Sequence, residues 1–69
     1  MNLKQIKKHL ERAPFQPFEL ESYGGTHIAV NRAADIHISD YDPYIIVVFD
    51  GDGTFTAIES DDVASLHST

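Results

Sequence analysis

The pattern of apolar and polar positions divides this chain into one short helix and a run of short strands. Leu3, Ile6 and Leu10 recur at helical spacing, with Lys4, Lys7, Lys8 and Glu11 on the remaining surface. Asn2 is a candidate N-cap, with Gln5 three residues on as its capping-box partner. Pro14 disfavours helical geometry at Ala13, so the helix is expected to stop near Arg12. A helix of about ten residues is not stable alone. Its apolar stripe must dock, and a β-surface is the only candidate in the chain.

Pro14-Phe15-Gln16-Pro17 then forms a stiff, extended connector. From Phe18 the period becomes two. Phe18 to Ser22 reads as a strand with Phe18 and Leu20 inward, and Gly24-Gly25 as a hairpin turn. Thr26 to Val30 returns with Ile28 and Val30 inward. Asp35 to Ser39 alternates again, Ile36 and Ile38 inward and His37 outward. Tyr44 to Phe49 is continuously apolar, Asp50-Gly51-Asp52-Gly53 turns the chain, and Thr54 to Ile58 pairs back. After a polar turn, Val63 to His67 is a last short strand or tether. The order predicts an α+β, mainly β fold in a single domain, 1–69. An N-terminal helix is followed by a five- to six-stranded antiparallel meander, as a strongly bent sheet or a small open SH3-like or Sm-like barrel.

The segment Tyr44 to Phe49 bears most on function. Alternate residues of a strand face opposite ways. Tyr44, Ile46 and Val48 therefore share one face, and Ile45, Val47 and Phe49 the other. Both faces are apolar, so both call for a cover. The core supplies one; the helix or a second copy of the chain must supply the other. Ile45, Val47 and Phe49 are the candidate interface residues. Size points the same way. A domain of about 60 residues buries only roughly 60% of its unfolded surface. This chain has 69 residues and no cysteine, hence no disulfide staple or thiolate metal site. Small folds without staples often gain stability by oligomerising.

Charge narrows the partners. The formal net charge is −6, with a net +3 in residues 1–13 and −9 in residues 14–69. An acidic body repels phosphate backbones, which disfavours nucleic-acid binding by the β-part. The alternative is an Sm-like nucleic-acid binder using Lys4, Lys7, Lys8 and Arg12 of the helix. No apolar run approaches the roughly 18 residues of a membrane span. Lys4, Lys7, Lys8 and Arg12 interrupt any signal-like segment, and the expected location is the cytoplasm.

Candidate chemistry is sparse. Asp50, Asp52 and Thr54 fall at positions one, three and five of a calcium loop. Position six is Phe55 where such a loop needs glycine, and position twelve is Asp61 where glutamate is expected, so a hairpin turn is the better reading. His9, His27, His37 and His67 lack metal-ligand spacing, and His27 with His37 become neighbours only if the second and third strands pair. Glu19 and Glu21 alternate with inward residues and are expected to be wet, unlike a catalytic carboxyl in a desolvated cleft. No nucleophile elbow or phosphate-cradling glycine loop is present. The expectation is a protein that is not an enzyme and has no cofactor and no metal.

The N-terminal order of a basic helix, Ala13-Pro14-Phe15-Gln16-Pro17-Phe18, a strand, Tyr23-Gly24-Gly25 and Ile28-Ala29-Val30, with a final Val63-Ala64-Ser65-Leu66, resembles a family of small uncharacterised bacterial proteins. Those proteins begin with a helix and an "RPFxPF" segment. Here alanine stands at position 13 where they carry arginine, and the turn is Tyr-Gly-Gly rather than Asp-Gly-Arg. The resemblance implies no activity. A helix followed by bent strands is also similar in element order to Sm-like proteins, an analogy of architecture only.

Overall fold

Leu3–Leu10 form an α-helix, α1, in the computed structural model, which describes residues 3–68. Asn2 and its expected capping role lie outside those residues. Ile6 is fully buried, Leu3 and Leu10 pack beside it, and Lys7, Lys8 and His9 fill the last turn, where cations complement the helix dipole. The Glu11 amide donates to the Lys7 carbonyl at 3.0 Å and closes the helix. The His9 ring lies 5.4 Å from that of Phe18, and Phe15 lies 6.0 Å from Phe18 on its other flank. The connector is thus pinned to the start of the first strand.

Six strands follow: β1 (Phe18–Ser22), β2 (His27–Val30), β3 (Ile36–Ile38), β4 (Ile45–Phe49), β5 (Phe55–Glu59) and β6 (Val63–Ser68). They form two antiparallel three-stranded sheets, ordered β2-β1-β6 and β3-β4-β5. The meander expectation needs correction on this point. β2 does not pair with β3, and the last strand returns to β1 instead of extending β5. The chain changes sheets through two 3-10 turns, Ala33–Asp35 and Ser60–Asp62. The first is clamped by Arg32, whose guanidinium donates to both Asp35 oxygens at 2.8 and 3.2 Å. The second is fixed by buried Ser60, whose amide donates to the Tyr44 carbonyl at 2.9 Å.

The inner faces of both sheets share one core. Ile6, Phe18, Leu20, Ile28, Val30, Ile36, Ile46, Val48 and Val63 are all buried in it. β5 adds only half-buried Ile58. The helix closes the end where β1 begins. At the other end the Tyr23 amide donates to the Asp62 carbonyl at 3.0 Å, which ties the β1–β2 turn to the Ser60–Asp62 turn.

Candidate interaction surface

β4 is the central strand of the second sheet, and its two faces have different environments. Ile46 and Val48 point into the core and are buried. Ile45 and Val47 are half-buried on the outer face, where Phe49 is 42% and Phe55 61% exposed. The register places Val47 between His37 of β3 and Ala57 of β5, Ile45 beside Glu59, and Phe49 beside Phe55. The His37 and Phe49 rings meet edge to face at 5.7 Å, and Phe49 meets Phe55 at 5.8 Å. The candidate residues Ile45, Val47 and Phe49 therefore lie together on one outer face. His37, Phe55 and Ala57 extend it. Their phase was visible in the sequence, since Phe55 and Ala57 alternate with inward Thr56 and Ile58, but the strand register was needed to place them beside β4.

The outer face of the first sheet is polar. Glu19 and Glu21 of β1 stand between His27 of β2 and His67 of β6. The His27 Nδ1–H donates to Glu19 Oε1 at 2.6 Å, and His27 Nε2 lies 3.9 Å from Glu21 Oε2. The hydrogen bond to Glu19, then that carboxylate's charge, raises the His27 pKa above its ordinary 6.5, with partial desolvation opposing and Glu21 adding to the rise. Glu19 and Glu21 are only about one-third exposed, so they are drier than their alternation suggested. His67 Nε2 lies 3.1 Å from Glu21 Oε1 and 2.9 Å from Ser65 Oγ. Serine, histidine and glutamate thus meet without forming a nucleophilic relay, because one ring nitrogen faces both partners where a relay needs two.

His27 and His37 lie on different sheets and are not neighbours. His9 stays on the helix, its Nδ1–H donating to the Gln5 carbonyl at 2.9 Å. Among the described residues no three histidine or carboxylate side chains converge as metal ligands. The Asp50–Thr54 segment is a hairpin turn between β4 and β5. The Thr54 hydroxyl lies within hydrogen-bond reach of the Asp50 and Asp52 carboxylates, and the Thr54 amide donates to Asp52 Oδ1 at 3.2 Å. These bonds from Thr54 hold the Asp52 carboxyl below its usual range. Lys4, Lys7, Lys8 and Arg12 are exposed around the helix, and Lys7, Lys8 and Arg12 make no ion pair among the described residues.

A cleft adds to this surface. β2 and β5 are edge strands of their sheets, and a groove of about 290 Å³ touches both, lined by Tyr23, Ile28, Thr56, Ile58 and Asp62 among others. No helix among the described residues is long and apolar enough to cross a membrane. No protein-family model, curated protein or solved structure matches this chain.

Proposed function

We propose that this chain is a non-catalytic cytoplasmic interaction module that self-associates through the outer face of the second sheet. One observation carries this reading. Ile45, Val47, Phe49 and Phe55 line one face of a sheet whose other face is already the core, and the two phenylalanines remain substantially exposed. Contiguous apolar surface of this kind is characteristic of interaction sites. The face is flanked by edge strands β3 and β5, which offer further backbone pairing. A second copy laid against it would bury the aromatics at the centre of a contact, where aromatic side chains contribute most.

A second reading, a nucleic-acid binder of Sm-like type, draws on the exposed cations Lys4, Lys7, Lys8 and Arg12. The net −9 of residues 14–69 opposes it.

Sedimentation velocity of the wild type, Val47→Lys and Phe55→Lys tests the proposal. A wild-type mass above the monomer, lowered in both folded variants, is expected. Phe55 is exposed enough that its substitution spares the core, so a folded Phe55→Lys chain of unchanged oligomeric mass would overturn the sheet-face contact. Titration with fluorescent oligoribonucleotides at two salt concentrations separates the second reading, which requires binding that weakens steeply with salt.

A further inference from the structure

We infer that the groove between β2 and β5 is a socket for an arginine or lysine side chain presented by the helix of a second copy. The inference rests on the reading that the chain self-associates, but it uses a different surface from the apolar sheet face. The groove has an apolar lining from Ile28 and Ile58, the 76% exposed Tyr23 beside it, and Asp62 on its border. This combination suits a long aliphatic stem with a cationic tip. The stem covers isoleucine surface, the cation meets an aromatic ring, and the tip forms a charge-assisted hydrogen bond with the carboxylate. Asp62 makes no ion pair among the described residues, and neighbouring Asp61 and Glu59 make none either. No lysine or arginine of the same chain lines the groove.

Charge complementarity identifies the occupant. Apart from Arg32, which is committed to Asp35, every lysine and arginine lies between residues 4 and 12. Lys7, Lys8 and Arg12 sit by the helix, which docks where β1 begins at Phe18. The groove lies where β1 ends at Ser22. The two surfaces are at opposite ends of the strand and meet most readily between copies. Such a contact joins unlike surfaces, so it propagates head to tail into a ring or an open chain.

The test compares full-length wild type, Asp62→Lys, Tyr23→Ala and the triple variant Lys7→Glu/Lys8→Glu/Arg12→Glu by sedimentation at low and high salt. Circular dichroism establishes that each is folded. Wild-type association is expected to weaken with salt, and each variant to weaken it by about tenfold or more at low salt. Mixing Asp62→Lys with the triple variant should restore it, because each then offers the other opposite charges. Association indifferent to salt and to all three variants would overturn the socket while leaving the sheet-face contact standing. A wild type that is monomeric at every concentration would overturn both. A monomer that binds a hexa-arginine peptide through Asp62 would overturn the second copy as occupant.

Discussion

Glu19 and Glu21 of central β1 hold histidines from both flanking strands, so a proton on His27 tightens a contact across the sheet. The sign follows from linkage. The folded pKa of His27 lies above 6.5, so the charged form is favoured by folding. Its stabilisation is fully present below about pH 6.5 and is lost as pH rises through the raised folded value. His27→Gln removes that contribution. In urea titrations across this range, the stability difference between wild type and variant should be largest at low pH and shrink as pH rises. Both partners are accessible to water, so added salt should reduce the difference. A difference independent of pH would remove the histidine's charge from the account. The β1–β2 turn allows a second residue-scale test. Gly25 has φ of 89°, in the left-handed region, whereas Gly24 does not need it. Gly25→Ala should destabilise by about 1 kcal/mol or more, and Gly24→Ala by much less. Equal effects in thermal melts would show that backbone geometry does not set the order. Sequence reasoning allowed both glycines positive φ; only the hydrogen-bonded turn selects one.

At the scale of elements, helix docking centres on Ile6, with Leu3 and Leu10 beside it. Ile6 is fully buried against both sheets' core, while Lys7 and Lys8 face water. Ile6→Ala should destabilise by about 2–5 kcal/mol, and Lys8→Ala by under about 0.5 kcal/mol. Chemical denaturation measures both; a mild Ile6→Ala would mean that the sheets hold together without the helix. The helix and five strands were legible in the sequence, and the sixth only as an alternative to a tether, because change of period, proline and glycine mark where elements begin and end. Alternation also named the inward side of the first three strands: Phe18 and Leu20, Ile28 and Val30, and Ile36 with half-buried Ile38. Beyond the two hairpins, β1 with β2 and β4 with β5, pairing was not legible, since alternation says which way a residue faces and nothing of its neighbour. Alternation alone therefore leaves β6 a strand or a tether, and it carries no sign that Glu21 meets Ser65 and His67, 44 and 46 residues away. The Ile45, Val47 and Phe49 face stood out because six apolar residues in a row exceed what one core face can use. The groove left no sequence signal, being a gap between strands that do not pair.

The whole molecule has little interior for its length. Its radius of gyration is 11.1 Å, close to the roughly 11 Å that chain-length scaling gives for one such domain. Its dimensions are thus those of one ordinary domain, and among the described residues nine buried apolar side chains form the core. Further stabilisation must come from surface now in water, chiefly the outer face of the second sheet. If that face closes against a second copy, folding and association are linked, and melting depends on protein concentration. For a dimer that unfolds as it separates, a hundredfold increase in concentration contributes about 1.4 kcal/mol per chain, which raises Tm by roughly 5–10 °C in a domain of this size. Phe55→Lys places a charge within the contact while leaving the core intact. Its melting temperature should be lower than wild type at high concentration and nearly independent of dilution. Thermal melts of both proteins over that concentration range decide the matter. A wild-type midpoint that stays constant on dilution, at concentrations where sedimentation shows dissociation, would mean that the monomer is stable without the contact and that association serves binding alone.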